Sequence, residues 1–155
     1  MTWSADELGD LLTRDVDDVV GYARSVGGRE RSLALRDSLT RLETSAEPLD
    51  RLKVLLFIQA LLALAPDGTV ASPVAESVAL RLARVVVSTT QPDELRQPAL
   101  DALALLFVKA KELTATADSR LREAFNVAGK SRDPEIRDFA RRVSLANAVV
   151  AQRSA

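Results

Sequence analysis

Apolar residues recur at spacings of three and four along most of the chain, and this pattern constrains the fold more than any other feature. Residues three and four apart share one face of an α-helix. Leu35, Leu39 and Leu42 form one such stripe. No stretch shows the sustained strict alternation of a half-buried strand. The sequence therefore predicts an all-α protein.

Glycine and proline divide this pattern into segments. Gly27-Gly28 are expected to end a helix that begins near Asp15, since glycine adopts left-handed backbone at little cost. Pro48 suits a first helical turn, Ser72-Pro73 are expected to cap and start the fifth helix, and Asp133-Pro134 to open the last. Short connections favour antiparallel neighbours. We expect seven to eight antiparallel helices, arranged as a short solenoid or a compact helical bundle.

Three local predictions follow from the same signals. Ser4 and Glu7 have the spacing of a capping box at the first helix. The stretch from Thr89 to Pro92 is expected to end the fifth helix. Because Pro98 lies inside a helical pattern, we expect a kink near Gln97 or a short turn before the main helix.

Length and composition narrow the class of protein. The 155 residues fit one domain, 1–155, since a domain takes about 100 to 200 residues. The chain has no cysteine and no histidine, so disulfides, thiolate nucleophiles, Cys/His zinc sites and imidazole chemistry are excluded. No nucleophile and base stand at a recognisable spacing. We therefore predict neither a cofactor nor a metal, and no catalytic residue.

One short pattern occurs twice in the C-terminal half. Residues 94–99 and 135–140 share the pattern E-[LI]-R-x-x-A at an offset of 41 residues. This offset lies within the roughly 40 to 47 residues of helical-hairpin repeats. No third copy appears one period earlier, at Val54 to Gln59. The pattern favours a solenoid over a bundle.

The run Asp133-Pro134-Glu135-Ile136-Arg137 resembles the opening of the second helix in the HEAT and armadillo-like families. The resemblance covers residues 72–151 and implies stacked helical hairpins there. It also implies a structural polar ladder between repeats, which we carry to Arg96, Asp133 and Arg137. Residues 1–66 are then expected to be divergent helices or a cap.

Charge is distributed unevenly along the chain. The net charge is −1 overall, but residues 1–80 carry −5 and residues 81–155 carry +4. Asp133 with Arg137, and Asp138 with Arg142, are expected to pair at a spacing of four. A basic stripe is predicted as the surface that contacts a partner or phosphate groups. Its candidate residues are Arg120, Arg122, Lys130, Arg132 and Arg141.

Two further features have competing interpretations. Residues 15–18 match the D-x-D-D string of terpene cyclases, in which an aspartic acid protonates an alkene; the matching residues are Asp15, Asp17 and Asp18. A second interpretation is a site for Mg²⁺ or Ca²⁺, since carboxylates bind both ions. The interpretation that we favour is an acidic first helical turn, which complements the helix dipole. Trp3 is expected to fold back onto the first helix as a hydrophobic staple, with an interface anchor as the alternative.

The N-terminus and the longest apolar run bear on where the chain is targeted. Residues 1–7 are acidic and lack the pattern of a secretory signal, so the mature chain is expected to start here, in the cytosol. The longest uncharged run, Val54 to Pro66, is shorter than the about 20 residues that span a bilayer. It predicts a buried helix, and no membrane association.

We expect a non-catalytic scaffold or adaptor that binds a protein partner through a polar, arginine-rich surface. The alternative is a nucleic-acid-binding module that uses the basic C-terminal face. Self-association is a further prediction, because the fourth helix and the stretch from Ala146 to Val150 could leave apolar surface uncovered.

Overall fold

A computed structural model describes residues 3–88 and 93–154 of the chain, with side chains described as far as Asn147. Within these ranges the protein is helical and forms no β-strand, which confirms the predicted all-α class. The helices are α1 (Ala5–Leu11), α2 (Val16–Tyr22), α3 (Arg31–Thr44), α4 (Pro48–Leu64), α5 (Ser72–Val87), α6 (Asp93–Lys109), α7 (Ala115–Ala128) and α8 (Pro134–Ser154), with a 3₁₀ turn at Ala23–Ser25.

The helices pack in two rows. In the odd row, α1 contacts α3, α3 contacts α5, and α5 contacts α7. In the even row, α2 contacts α4, α4 contacts α6, and α6 contacts α8. The rows are joined within the pairs α3/α4, α5/α6 and α7/α8. Every helix after α2 therefore packs on the helix two positions earlier in the chain.

The pairs also recur at a nearly regular spacing. The odd helices α3, α5 and α7 start at residues 31, 72 and 115, which are 41 and 43 residues apart. The even helices α4, α6 and α8 start at residues 48, 93 and 134, which are 45 and 41 residues apart. The spacing of 41 residues that the sequence shows between α6 and α8 thus has a counterpart of 45 residues between α4 and α6.

The connections that follow α4 and α6 are joined by backbone hydrogen bonds. Val70 and Ala110 form an isolated parallel bridge. The Val70 N–H donates to the Lys109 carbonyl and the Lys111 N–H donates to the Val70 carbonyl, both at 2.8 Å. Gly68, whose φ of 70° suits glycine, donates to the Val108 carbonyl at 3.0 Å. These bonds fix the register between the pairs α3/α4 and α5/α6.

Helix α4 lies at the centre of the core, as its apolar sequence predicts. It contacts α2, α3, α6 and the 3₁₀ turn. Its residues Leu55, Phe57, Ile58 and Leu61 are fully buried. A helix that is apolar on all sides needs neighbours on most of them. Most of the run from Val54 to Leu62 is therefore core, whereas Ala63, Leu64 and Pro66 are exposed. No helix in the described ranges is long and apolar enough to span a bilayer.

Trp3 joins the N-terminus to two later helices. Its ring stacks on Phe57 of α4 with a centroid distance of 5.8 Å, and its Nε1 donates to Asp37 Oδ2 of α3 at 2.8 Å. Only 5% of the residue is exposed. The predicted staple onto the first helix is wrong in its partner, and an interface anchor is excluded by this burial.

Several predicted helix caps differ from the structure. The Ser4 side chain makes no cap hydrogen bond, because the Glu7 N–H donates to the Ser4 carbonyl at 3.1 Å instead. The Glu7 carboxylate accepts from Tyr22. Ser72 is the first residue of α5 rather than its cap. The acidic turn of α2 is confirmed, since the Asp15 side chain accepts from the Asp18 N–H at 3.0 Å.

The region around Pro98 differs in part from expectation. Helix α6 includes Pro98 and runs as one helix from Asp93, so the alternative of a short separate turn is wrong. Pro98 is the sixth residue of the helix, and having no N–H it cannot donate to the carbonyl four residues earlier. The kink near Gln97 stays a prediction. Helix α5 ends at Val87. The stretch predicted to end it, Thr89 to Pro92, lies outside the described residues.

Cationic side chains of the even row cap the C-terminal ends of other helices. Lys53 donates to the Leu12 carbonyl at the end of α1, at 3.1 Å. Lys109 donates to the Ala65 carbonyl at the end of α4, at 2.7 Å, and pairs with Asp67 at 3.0 Å. The last carbonyls of a helix lack intrahelical donors and carry partial negative charge. These lysines therefore stabilise helix ends as well as contacts between helices.

We expect Lys109→Met to lower the free energy of unfolding by about 1–2 kcal/mol, because a charge-assisted hydrogen bond in a mostly buried site is lost. Urea unfolding followed by circular dichroism measures this change. Lys111→Met is the matched control, since that side chain is exposed and makes no ion pair within the described residues. Equal losses in the two variants would contradict the capping role.

Candidate functional site

A cavity of about 350 Å³ opens between α3 and α5, and we call it the α3–α5 groove. Ser32 and Arg36 of α3 line one wall, and Ser77 and Arg81 of α5 line the other. Leu39, Pro73 and Val74 complete the lining with apolar surface. Its volume lies at the lower end of the about 300–1,000 Å³ usual for ligand sites. The groove combines hydroxyl and guanidinium donors with an apolar wall.

The polar lining of this groove carries positive charge. No carboxylate belongs to it. Arg36 makes no ion pair within the described residues, and Arg81 pairs with Glu43, its Nε lying 3.4 Å from Glu43 Oε1. Arg36 is therefore the groove arginine that is available to an anion without displacing a described carboxylate.

A smaller cavity of about 100 Å³ lies between α5 and α7. Leu80, Ala83 and Arg84 line it on one side, and Arg120 and Glu123 on the other. Arg84 Nη1 lies 4.0 Å from Glu43 Oε1, and Arg120 Nη1 lies 3.2 Å from Glu123 Oε2. Four arginines therefore border the grooves of the odd row, and we call them the odd-row arginines. They are Arg36, Arg81, Arg84 and Arg120.

The residues of the predicted basic stripe differ in their contacts. Arg120 borders the odd-row grooves, whereas Arg122 pairs with Asp118 at 2.8 Å. Arg141 donates to the Gly129 carbonyl at 3.0 Å, at the end of α7. Lys130 and Arg132 are exposed on the connection to α8 and make no ion pair within the described residues. Three of the five residues thus already have partners.

The predicted pairing along α8 is wrong. Asp133 caps α8, because its Oδ1 accepts from the Glu135 N–H at 2.9 Å. Arg137 Nε contacts Asp138 Oδ1 at 3.3 Å instead of Asp133. Asp138 is thereby engaged one residue away rather than by Arg142. A carboxylate that accepts from its own helix N-terminus is held away from the side chain four residues on.

The proposed ladder residues are only partly brought together. Arg96 and Asp133 line one cavity of about 280 Å³ at the ends of the last two pairs, together with Arg132. Arg96 donates to the Ser88 carbonyl at 3.0 Å and pairs with Asp93 of its own helix. Arg137 takes its partner from α8. A continuous ladder through Arg96, Asp133 and Arg137 stays a prediction.

The outer surface of the even row differs in charge from the odd row. The wide cavity between α6 and α8 includes two carboxylates, from Glu135 and Asp138, beside Arg142 and Phe139. Gln97 donates to Asp101 Oδ1 at 2.8 Å. Burial raises the pKa of Asp101, and this hydrogen bond opposes the shift. Mixed charge makes this surface a poorer site for an anion than the odd row.

The aromatic and acidic candidates have structural roles. Phe125 is buried and lies 5.8 Å from Phe107, ring centroid to ring centroid. Phe139 is packed against the core. No group of three acidic side chains within the described residues is placed to hold a metal ion. Of the surface expected to mediate self-association, Leu49 and Leu64 of α4 and Ala146 of α8 are exposed, and side chains from residue 148 onward lie outside the described part.

The α3–α5 groove was not predicted, although the sequence contains a signal for it. Residues 32–36 read Ser-Leu-Ala-Leu-Arg and residues 77–81 read Ser-Val-Ala-Leu-Arg. Each copy places its serine and arginine four residues apart, on one helical face. The structure brings the two copies together as the two walls of one groove. A search for repeated short segments at 45 residues would have found them.

Comparison with protein-family models, with curated proteins and with solved structures finds no match to this chain.

The Tyr22 side chain offers a spectroscopic test of the packing of α1 on α2. Its hydroxyl donates to Glu7 Oε2 at 2.6 Å. Burial, together with the nearby Glu7 carboxylate, raises the pKa of Tyr22 from 10.0 to about 12. Because the protonated phenol is favoured in the folded state, Tyr22 contributes stability below pH 10 that is lost as the pH rises towards 12.

We expect the phenolate absorbance of the folded protein to reach half its full value near pH 12. Tyr22 is the only tyrosine, so the signal is unambiguous. Glu7→Gln should lower this pKa but not restore 10.0, since burial is the larger cause. A midpoint of 10.0 in the folded wild-type protein would contradict the contact.

Proposed function

We propose that this chain is a non-catalytic protein-interaction module that holds an acidic segment of a partner protein against the odd row. The observation that carries the proposal is the set of odd-row arginines on three successive helices, beside two open grooves. The lining of neither groove pairs a nucleophile with a base, which favours binding over catalysis.

Electrostatic complementarity supports an acidic partner. Arg36 has no carboxylate partner within the described residues, and Arg84 has 78% of its side chain exposed. Charges that are incompletely paired attract a partner of opposite sign and raise its association rate. Leu39 and Val74 offer apolar contact beside these charges, so the bound segment should carry apolar as well as acidic side chains.

We also propose that the three pairs α3/α4, α5/α6 and α7/α8 stack as a short HEAT-like solenoid. Helices of each row contact the next member of that row, and the pairs recur every 41 to 45 residues. The parallel bridge between Val70 and Ala110 links equivalent connections of two pairs. A stack of this kind places grooves between successive helices of one row.

A protein partner is favoured over nucleic acid by the pattern of charge. Glu43 and Glu123 lie among the odd-row arginines and would repel a continuous phosphate backbone. An acidic segment of a protein can place its few carboxylates beside individual arginines. Nucleic-acid binding remains the alternative, because Lys130 and Arg132 are exposed and make no ion pair within the described residues. The photocrosslinking experiment distinguishes the two. We place the interaction in the cytosol, as the sequence led us to expect.

Site-specific photocrosslinking tests the proposed surface. Benzoylphenylalanine in place of Thr40 reports on the odd row, and in place of Ala63 on the even row, because both residues are exposed. In extract of the cells that produce the chain, we expect a protein adduct from position 40 and none from position 63. Adding Arg81→Glu with Arg84→Glu should reduce the adduct by roughly tenfold, since attraction becomes repulsion.

The control variant carries Arg24→Glu with Arg29→Glu, two exposed arginines outside both grooves. It has the same net charge as the test variant and should keep the adduct. Adducts that form equally at position 63, or that are lost equally in the control, would contradict the odd-row surface. An adduct that disappears on nuclease treatment would favour the nucleic-acid alternative.

Native-state hydrogen exchange tests the solenoid. In a stack, a terminal pair can open while the rest stays folded. We expect the slowest amides of α7 to exchange with a free energy at least about 1 kcal/mol below those of α4. A compact bundle would open as one unit, so identical free energies for α4 and α7 would exclude independent opening of the last pair.

A further inference from the structure

We propose that the α3–α5 groove binds a phosphate monoester, carried on a phosphorylated serine or threonine of the partner protein. This inference rests on the proposed function, because it names the group that the odd row recognises. Four features of the groove support it: the repeated Ser-x-Ala-Leu-Arg motif, the hydrogen-bond donors, the helix N-termini and the apolar part of the lining.

The two walls of the groove present the same polar groups. Ser32 and Arg36 stand four residues apart on α3, and Ser77 and Arg81 stand four apart on α5. Each wall therefore supplies one hydroxyl and one guanidinium. A single anion between the walls can receive hydrogen bonds from both sides.

The number and direction of these donors fit a phosphate monoester better than a carboxylate. One guanidinium can satisfy both oxygens of a planar carboxylate by a bidentate pair. A phosphate monoester carries three terminal oxygens and a charge of about −1.5 to −2 at neutral pH. Two guanidiniums and two hydroxyls on opposite walls match those oxygens, and would leave donors unused around a carboxylate.

The charge already present at the groove allows this anion to enter. Arg36 has no ion-pair partner within the described residues. Glu43 lies 3.4 Å from Arg81 Nε and does not belong to the lining. Arg81 borders the groove beside this contact, so an anion in the groove would share Arg81 with Glu43.

The first turn of each helix contributes to the groove. Ser32 is the second residue of α3, and Pro73 and Val74 are the second and third of α5. The partial positive charge of a helix N-terminus favours an anion nearby. Arg36 and Arg81 lie further along the same helices and add to this preference at the rest of the groove.

The floor of the groove suits the carbon atoms that carry the phosphate. Pro73 and Val74 supply the accessible apolar surface of a cavity of about 350 Å³, since Leu39 is 1% exposed. A cavity of this volume can hold a phosphorylated side chain with part of its flanking peptide. Inorganic phosphate would leave the apolar floor uncovered, so the groove favours an ester. The proposed function makes this ester one that a protein segment carries.

Isothermal titration calorimetry of the full chain tests the proposal with four probes. They are an N-acetylated, C-amidated pentapeptide with a central phosphoserine flanked by leucines, its serine and glutamate counterparts, and inorganic phosphate. We expect the phosphopeptide to bind at least roughly tenfold more tightly than the glutamate peptide and inorganic phosphate, because charge, donors and floor all contribute. The serine peptide should show no measurable binding.

Arg36→Gln and Arg81→Gln should each weaken phosphopeptide binding at least roughly tenfold, and Ser32→Ala and Ser77→Ala by smaller factors. The control is Arg24→Gln, which removes one exposed charge outside the groove and should change the affinity less than about twofold. Circular dichroism and thermal unfolding establish that each variant is folded.

Three results would overturn the inference. They are equal binding of the glutamate and phosphoserine peptides, binding of inorganic phosphate as tight as that of the phosphopeptide, and binding unaffected by Arg36→Gln and Arg81→Gln. Phosphatase treatment before photocrosslinking separates this inference from the proposed function. If the adduct at position 40 persists after phosphatase, the odd-row surface stands and the phosphate inference fails. If the phosphopeptide binds through both arginines and no adduct forms, the proposed function fails.

Discussion

The structure depends on the packing of each helix against the helix two positions along the chain. Helix α4 illustrates this constraint, because its fully buried Leu55, Phe57 and Ile58 need cover that α3 alone does not provide. Helices α2 and α6 supply it from the same row. Burying such a side chain stabilises the fold by about 1.5–3 kcal/mol relative to exposure. The two rows are therefore a consequence of apolar surface on several sides of the central helices.

A second consequence of this packing concerns the cationic residues. Helices that stack in rows bring their ends beside one another, where carbonyl oxygens lack donors. Lys53, Lys109, Arg96 and Arg141 all extend from even-row helices to such carbonyls. Lys109, Arg96 and Arg141, three of the thirteen cations in residues 81–155, thus have a role in the fold. Arg141 contacts a helix end, and its place in a phosphate-binding stripe stays a prediction.

The sequence predicts the helices well because their signals are local. Spacings of three and four, with Pro48 and Gly27-Gly28 between them, determine where segments begin and end. Partners across the fold are not local, and here sequence reasoning was weaker. Trp3 contacts Phe57 and Asp37, which lie far along the chain, so no nearby residue indicates them. Asp133 accepts from the Glu135 N–H and Glu7 accepts from the Tyr22 hydroxyl. The spacing of charged side chains alone does not reveal either partner.

In the candidate site, too, some features can be predicted from the sequence and others cannot. Charge counting selected Arg120 and its neighbours, whereas the structure places the least paired of the groove arginines, Arg36, in the acidic N-terminal half. Net charge over a long segment averages away a local group of like charges. The repeated segment Ser-x-Ala-Leu-Arg is a better signal than net charge, because it identifies particular residues at a defined spacing and is not averaged over a long stretch.

Each copy of that segment encodes packing as well as chemistry. Ala34 and Ala79 occupy the third position of the two copies and are fully buried, while Arg36 and Arg81 line the groove. Residues two apart on a helix point in nearly opposite directions, so a small side chain faces the core where the polar pair faces outward. Alanine there allows close approach of the backbone to its neighbours. The duplicated segment can therefore hold two walls of donors at a fixed distance on rigid helices, which is the condition for preorganised binding.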